Sequence, residues 1–256
     1  MSDLLISRTG HVQILEINRP PHNYFDTALV GMIADAVEAA DQEPDVRALL
    51  LCANGKSFCA GANFTGPQPK TPEERRADSR KLYDHGLRIF RGRKPIVAAT
   101  QGHVIGGGLG VALAADFRVA TPETSFSANF TRLGFHPGFG LTVTLPALVG
   151  PTQASLMMLT GRRVRGEEAR RIGLCECLAS AEELRQVALD LASELAASAP
   201  LAVISTRETL RAGMAERVER QLIRELDEQS WLRETADFGE GVRATTERRP
   251  PVFKGQ

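Results

Sequence analysis

The chain has 256 residues, of which 43% are hydrophobic and 24% charged, and these values are typical of a globular protein with a sizeable core. Its 31 Lys and Arg balance 31 Asp and Glu, so no net charge attracts nucleic acid or an anionic membrane. No apolar run approaches the ~20 residues of a membrane span, and the N-terminus lacks a signal-peptide pattern. The four cysteines follow no zinc or disulfide spacing, which favours a reducing, cytoplasmic location.

The N-terminal part of the chain alternates predicted strands and helices. Residues 4–17 alternate apolar and polar side chains around Thr9-Gly10, which predicts a hairpin. Asp26 precedes apolar residues with a period of 3.6 and is expected to cap a helix. The apolar run 46–52 predicts a buried strand, which leads into a turn of small residues at 58–63.

A second strand, turn and helix follow in the same order. Thr71 starts a capping-box pattern, which opens a helix that runs to about Arg91. The apolar run 95–100 predicts another buried strand, and residues 102–110 form a second turn of small residues. A short buried helix and a strand at residues 116–120 complete this unit.

This order of elements predicts an α/β fold of parallel βαβ units covered by helices. From Thr152 onward the pattern is almost wholly helical, with a second capping box at Ser180 and a helix that starts at Pro200. We expect an α/β core in residues 1–195. We expect the remaining C-terminal helical region, residues 196–256, to pack on the core or on a neighbouring subunit as an oligomerisation or lid region.

The turns at residues 58–63 and 102–110 are the segments best suited to carry chemistry. Each follows a buried strand and consists of residues small enough for a ligand to approach the backbone. A strand, a small-residue turn and a helix start leave backbone N–H groups unpaired, and two such turns side by side would stabilise the oxyanion of acyl-group chemistry. On composition alone, Gly61 and Gly107 could equally serve only to permit tight turns.

These turns, together with residues 19–21, 133–138 and 249–255, resemble the crotonase (enoyl-CoA hydratase/isomerase) superfamily over nearly the whole chain. The resemblance implies a crotonase-like spiral of repeated ββα units and assembly as a homotrimer or a dimer of trimers. It also implies an acyl-CoA thioester substrate, whose carbonyl oxygen binds the backbone N–H groups of Ala62 and Gly107. Coenzyme A would enter as part of the substrate, with no tightly bound cofactor and no metal.

The resemblance places the substrate along the two turns and the neighbouring loops. The residues expected to bind the CoA and acyl groups are His22, Tyr24, Lys56, Ala60, Asn63, Phe64, Gly106, Gly110, Phe130 and Lys254. Of these, His22 and Ala60 are expected near the adenine end, and Lys254 near a phosphate.

The carboxylates that hydratases of this family use are missing from the chain. One glutamate normally lies three residues after the oxyanion glycine, where this chain has Gly110. The other lies a few residues before the Gly-x-x-Pro segment, at the position of Phe130, and isomerase relatives often have an acid at the position of Gly138. Because neither glycine nor phenylalanine can transfer a proton, ordinary hydration is not expected. The replacements also make the acyl site drier.

Other ionisable groups are candidates for proton transfer. His136 lies in the loop that frames the acyl pocket, and imidazole is the side chain that titrates closest to neutral pH. His103 and His22 are weaker candidates. Cys59 is expected within reach of a ligand but has no basic neighbour in sequence. Asp116 is expected to be a helix cap or a buried hydrogen-bond partner.

Three functions remain open at this point. The first is an acyl-CoA enzyme with diverged chemistry, which covers isomerisation, thioester hydrolysis, decarboxylation and hydration through unusual groups. The second is a non-catalytic or weakly active acyl-CoA-binding protein of the same fold. The third is a scaffold whose oligomer matters more than its pocket, and the retained small-residue turns argue against it.

Overall fold

The computed structural model describes residues 2–63 and 71–256, which adopt an α/β fold. The strands are β1 (Leu4–Thr9), β2 (Val12–Ile17), β3 (Ala48–Ala53), β4 (Ile96–Thr100), β5 (His103–Ile105), β6 (Phe117–Ala120), β7 (Ser125–Ser127), β8 (Val164–Arg165) and β9 (Cys177–Leu178). The helices are α1 (Thr27–Gln42), α2 (Pro72–Arg91), α3 (Gly107–Ala114), α4 (Leu141–Val149), α5 (Pro151–Thr160), α6 (Gly166–Arg171), α7 (Leu184–Ala197), α8 (Pro200–Leu210), α9 (Met214–Leu232) and α10 (Ala236–Glu247). A 3-10 helix covers Asn129–Leu133.

The larger sheet carries its strands in the order β1-β2-β3-β4-β6-β9. β1 and β2 form the predicted hairpin, with Thr9 opposite Val12 in antiparallel register. Every other pair of neighbours in this sheet is parallel. The prediction of an α/β fold built on parallel strands is therefore confirmed.

β3 is apolar at every position because both faces of the sheet are covered. Leu49 and Leu51 belong to the larger core, to which α1 contributes. Leu50 and Cys52 belong to a second core, which α7 completes. Since successive residues of a strand point to opposite faces, one unbroken apolar run serves two cores and fixes the strand between two layers of helices.

A smaller sheet joins the turn at residues 102–110 to the middle of the chain. Within the described residues it has three strands, with β5 parallel to β7 and β7 antiparallel to β8. The sequence did not predict these strands, because they have only two or three residues and no visible period. Their partners are also distant in the chain, as His103 opposite Ser125 illustrates.

The predicted helix starts are confirmed at α1, α2 and α8. A carboxylate oxygen of Asp26 accepts from the N–H of Leu29 at 2.9 Å and caps α1. Thr71 and Glu74 exchange both hydrogen bonds of a capping box, at 3.0 and 3.1 Å. Pro200 is the first residue of α8, where its missing N–H costs nothing.

The second predicted capping box forms one of its two hydrogen bonds and does not start a helix at once. The N–H of Glu183 donates to Ser180 Oγ at 3.2 Å, and the Ser180 hydroxyl donates to the Glu183 carboxylate at 2.9 Å. A turn occupies residues 181–183, so α7 begins only at Leu184.

Asp116 is a buried hydrogen-bond partner, as the sequence predicts. Its carboxylate accepts from the N–H of Ile96 at 2.8 Å. It also pairs with Arg207 Nε at 2.9 Å and with Arg211 Nη1 at 2.7 Å. These bonds attach α8 and the residue after it to the start of β4.

The C-terminal helices pack directly on the α/β core. α9 lies against α2 and α4, and α10 lies against the 3-10 helix. Leu222 and Leu226 of α9 enter the larger core, whereas Trp231 on the same helix is 57% exposed. The boundary at residue 195 falls inside α7, and the division of the chain there stays a prediction.

No single helix of the described residues is long and apolar enough to cross a membrane. α7 and α8 reach the length and composition of a span only when taken together, as a pair bent by 105°.

Candidate active site

The two small-residue turns lie side by side. The N–H of Cys59 donates to the carbonyl of His103, and the N–H of Ile105 donates to the carbonyl of Cys59, both at 3.0 Å. Gly61 has φ +89°, and a Cβ at that position would lie 3.1 Å from the Ile105 carbonyl oxygen. Glycine is therefore needed here both for the left-handed backbone and for the close approach of the two turns.

Each turn presents a backbone N–H group at this junction. Gly107 is the first residue of α3, so its N–H has no acceptor within the helix. Ala62 follows Gly61, whose carbonyl accepts from the N–H of Phe25 at 3.1 Å. Within the described part of the chain, the N–H of Ala62 has no hydrogen-bond acceptor.

A cavity of about 330 Å³ opens beside these two N–H groups. The sequence-predicted site residues that line it are Tyr24, Ala60, Ala62, Asn63, Gly106, Gly107 and Phe130. The predicted residues that do not line it are His22, Lys56, Gly110, His136 and Lys254. Phe64 lies outside the described residues.

The space beside Gly110 is filled by the ring of Phe139. A Cβ added at Gly110 would lie 2.8 Å from Phe139 Cδ1, and one added at Gly86 would lie 2.8 Å from Phe139 Cζ. Phe139 itself lines the cavity and packs edge-on against Phe25, with ring centroids 6.1 Å apart. A phenyl group thus fills the space beside residue 110, the position that the family resemblance predicts for the first glutamate of a hydratase.

Gly138 is the residue at which the family resemblance predicts an isomerase acid. The space beside it is filled by the neutral side chains of Tyr83 and Gln229. A Cβ there would collide with the hydroxyl of Tyr83 and would lie 2.5 Å from Gln229 Nε2. The Tyr83 hydroxyl donates to Gln229 Oε1 at 2.8 Å, and Gln229 Nε2 donates to the carbonyl of His136 at 2.8 Å. Burial raises the pKa of Tyr83 far above its usual value, so the phenol stays protonated.

Phe130, at the predicted position of the second glutamate, is part of an apolar wall of the cavity. Phe130 is 7% exposed, and its ring centroid lies 5.4 Å from that of Phe135. Among the described residues that line the cavity there is no aspartate, glutamate or histidine. The described residues also contain no group of three or more potential metal ligands. The described cavity wall therefore has no carboxylate that could transfer a proton to a ligand.

The structure separates the histidine candidates from the cavity wall. His136 Nδ1 lies 2.7 Å from the carbonyl oxygen of Pro137, which fixes a proton on that nitrogen if the ring is neutral. His22 stacks on Tyr24 with centroids 5.1 Å apart. The side chain of His103 is exposed at the start of β5. Partial desolvation, together with nearby cationic groups, lowers its pKa.

The expectation that a ligand reaches Cys59 is wrong. The side chain is 1% exposed, and a Cβ added at Gly108 would lie 2.7 Å from its Sγ. Burial raises the pKa of this thiol to about 12. Cys59 therefore packs the two turns together and is a neutral thiol at physiological pH.

The predicted CoA-binding residues are only partly brought together. The N–H of Ala60 donates to the carbonyl of His22 at 2.9 Å, which joins the first turn to the loop before it. Lys56 and Lys254 have exposed side chains. The backbone N–H of Lys254 donates to Asp237 at 2.7 Å and thereby anchors the C-terminal tail on α10.

Sequence reasoning missed the part of the cavity wall that comes from α2, α9 and α10. The polar members of that wall are Ser79, Tyr83, Gln229, Arg233, Thr245 and Thr246. No local motif marks them, since they come from three helices. One signal in the sequence could have indicated polar residues on the inner face of α9. Glu225 and Gln229 interrupt its apolar stripe at a spacing of four residues.

Comparisons with known proteins identify the family and the fold of the chain. The family described as enoyl-CoA hydratase/isomerase matches residues 7–256. The chain is 31% identical to the 2,3-dehydroadipyl-CoA hydratase of Escherichia coli K12 over the full length of both, and 32% identical to the crotonyl-CoA hydratase of Syntrophomonas wolfei over 98% of this chain and 97% of the other. A crystal structure of an enoyl-CoA hydratase/isomerase from Pseudoalteromonas atlantica T6c superposes with a TM-score of 0.87 at 30% identity, covering 99% of this chain and all of the other. The chain belongs to the enoyl-CoA hydratase/isomerase family and has the crotonase fold.

Proposed function

We propose that the protein binds an acyl-CoA thioester and stabilises negative charge on its carbonyl oxygen with the N–H groups of Ala62 and Gly107. The observation that supports this most directly is the pair of adjacent turns, each of which presents an unpaired N–H at the same cavity. Two preorganised donors of this kind stabilise an enolate or a tetrahedral adduct more than the neutral thioester.

The reaction that such a site performs is not ordinary hydration of a double bond. Hydration needs an activated water and a proton donor, and the described cavity wall has neither a carboxylate nor an imidazole. Since a general acid or base typically contributes ~10²–10⁴-fold each, loss of both leaves little beyond binding and oxyanion stabilisation. We therefore expect crotonyl-CoA to be hydrated far more slowly than by a family member with both glutamates.

A non-catalytic acyl-CoA-binding protein is the second candidate. The same apolar wall favours it, because Phe130 and Phe139 leave a dry site in which a thioester could be held without turnover. The two candidates differ in whether the α-proton of the bound acyl group becomes labile.

The deciding experiment measures binding and proton exchange together. Binding of butyryl-CoA is compared with that of butyl-CoA, the thioether that lacks the carbonyl, and α-proton exchange of butyryl-CoA is followed by NMR in D₂O. Tighter binding of the thioester with exchange above the buffer rate supports an enolate-stabilising enzyme. Tighter binding without exchange supports the acyl-CoA-binding protein. Equal affinity for thioester and thioether would refute the oxyanion role of Ala62 and Gly107.

The candidate role of His136 in proton transfer stays a prediction. Its ring does not line the cavity, so a proton would have to reach the substrate through a moved loop or a water. If His136 is the acid or base, His136→Ala abolishes α-proton exchange and leaves CoA affinity within a few fold. Exchange that survives in His136→Ala would exclude it.

The proposal extends to assembly, location and the C-terminal region. We propose a homotrimer or a dimer of trimers in the cytoplasm, with CoA present only as part of the substrate and no nucleic-acid partner. We also propose that residues 196–256 act as a lid. Arg233 and Thr245 from this region line the cavity and support that role.

A further inference from the structure

The cavity wall contains a cation without a counter-charge. The guanidinium of Arg233 faces the cavity, with Cζ 5.5 Å from the centroid of the Phe135 ring. Within residues 2–63 and 71–256 it forms no ion pair and no hydrogen bond. Residues 64–70, which lie outside the described part, contain no aspartate or glutamate that could pair with it.

The carboxylates nearest to Arg233 are engaged elsewhere. Glu234 pairs with Arg75, and Asp78 accepts from the Thr27 hydroxyl at 2.9 Å. Arg76, the next residue of α2, is likewise paired, with Asp227 at 2.6 Å. Arg75 and Arg76 thus each form an ion pair with a carboxylate. Among the described residues, Arg233 has only longer-range attraction to Asp78 and Glu234.

Burial makes this arrangement costly. Burial lowers the pKa of Arg233 below the usual arginine value, although a guanidinium remains protonated at physiological pH. A partly desolvated cation without a partner destabilises a protein, and pairing it with an anion in good geometry removes that cost. The unpaired guanidinium is therefore a binding group for an anion that enters the cavity.

Three polar side chains line the same cavity wall as Arg233. Ser79 and Tyr83 are four residues apart on α2, and Gln229 of α9 lies four residues before Arg233, the helical C-cap residue that follows α9, so each pair lies on one helical face. The two pairs meet across the helix contact, where the Tyr83 hydroxyl donates to Gln229. Ser79, Gln229 and Arg233 also line a small recess that adjoins the cavity.

We propose that Arg233 binds a carboxylate carried by the acyl group, so that the substrate class is the CoA monothioester of a dicarboxylic acid. This rests on the proposed function, because it needs the thioester to enter the same cavity. Arginine matches a carboxylate with two parallel hydrogen bonds, and the Ser79 hydroxyl on the same cavity wall offers a further donor. Arg233 shares this wall with the apolar ring of Phe135, which suits an acyl chain that ends in a carboxylate better than a CoA phosphate.

The test compares chain-matched ligands by calorimetry. Succinyl-, glutaryl- and adipyl-CoA are measured against butyryl-, valeryl- and hexanoyl-CoA and against free CoA, for the wild type, Arg233→Met and Arg233→Lys. Arg91→Met, which removes an exposed arginine of α2 that is paired with Glu219, is the matched control. Arg233→Met keeps the aliphatic stem, and because it removes an unpaired buried charge it should fold with an unchanged or raised melting temperature.

We expect at least one carboxylated ligand to bind the wild type about 10-fold or more tightly than its neutral partner, as a charged hydrogen-bonded pair predicts. Arg233→Met should abolish that preference and leave neutral ligands and free CoA within about threefold, while Arg233→Lys retains part of it and Arg91→Met all of it. Equal binding of charged and neutral ligands by the wild type would overturn the proposal. So would a loss of free CoA binding in Arg233→Met, which would assign the guanidinium to a CoA phosphate. If no acyl-CoA binds at all, the proposed function itself fails.

Discussion

The ring of Phe139 lies between Gly86 and Gly110, and its backbone has φ +61°, a left-handed value that is unfavourable for residues other than glycine. Because Gly86 and Gly110 have no side chains, the large ring of Phe139 fits between them. Glycine at residue 110 is therefore coupled to packing, and a larger side chain fits there only if Phe139 moves.

Gly110→Ala should lower the free energy of unfolding by about 1–3 kcal/mol, because the added methyl group would overlap three atoms of Phe139. Gly239→Ala is the matched control, since a Cβ in that helix meets only the end of Arg243, at 3.7 Å, and alanine favours helix. Urea titrations of the two variants check this. Equal stability of Gly110→Ala and the wild type would show that Phe139 moves aside.

Gly110→Glu should not create a crotonyl-CoA hydratase. The carboxylate would have to displace the Phe139 ring, and the second glutamate would still be absent at Phe130. A spectrophotometric assay of crotonyl-CoA hydration by a folded preparation of Gly110→Glu measures this. A large gain in rate over the wild type would contradict the role assigned to Phe139.

α9 holds the loop that carries the cavity residues Gly138 and Phe139. Gln229 donates to the His136 carbonyl at 2.8 Å, and the buried carboxylate of Glu225 accepts from the N–H of Gly140 at 2.8 Å and from the Thr142 hydroxyl at 2.5 Å. Glu225 therefore caps the start of α4 from another helix. Two polar residues on one face of α9 thus position the loop.

Glu225 should make stability depend on pH. Burial raises its pKa to about 7 from the usual 4.5, because the hydrogen bonds to Gly140 and Thr142 offset desolvation only in part. Between these values the folded state keeps a proton that the unfolded state releases. The free energy of unfolding should therefore fall as pH rises from about 4.5 to about 7, by up to about 1.4 kcal/mol per pH unit, and level off above that.

Chemical denaturation at half-unit steps from pH 4.5 to 8 checks this prediction. Glu225→Gln should reduce the slope, because the amide does not ionise. Glu219→Gln, on the same helix but exposed and paired with Arg91, should leave the slope as in the wild type. Identical slopes in the wild type and Glu225→Gln would show that Glu225 does not titrate in this range.

At the scale of the whole molecule, several large apolar side chains of the C-terminal half are open to solvent in a single chain. Leu201 and Leu210 of α8 are about four-fifths exposed, and Ile223 and Trp231 of α9 are more than half exposed. Apolar groups scattered in this way are common on surfaces, but the assembly implied by the family resemblance would cover some of them.

Sedimentation at micromolar concentration should give three or six times the 27.8 kDa of one chain. The protein has one tryptophan, so its fluorescence reports on Trp231 alone. If α9 contributes to the subunit contact, dilution that dissociates the oligomer should shift the emission to longer wavelength as the ring becomes exposed. A monomeric mass would refute the predicted assembly, and an unchanged spectrum on dissociation would exclude Trp231 from the contact.

The sequence by itself determined the features that depend on neighbouring residues. The hairpin around Thr9-Gly10, the caps at Asp26 and Thr71 and the buried strand β3 follow from short patterns, and the structure has all of them. The family could also be predicted from local motifs, whereas the assignment of Gly110 and Phe130 to the positions of the two glutamates stays a prediction. These features were predictable because each depends on residues a few positions apart.

Tertiary structure alone decided what surrounds the cavity. The burial of Cys59, the ring of Phe139 beside Gly110, and the placement of Arg233 in the cavity depend on contacts between segments far apart in the chain. β5, β7 and β8 likewise exist only because distant partners complete their hydrogen bonds. Close packing and burial set these outcomes, and neither can be read from the residues of one segment, because the partners that fill the space or leave a charge unpaired come from elsewhere in the fold.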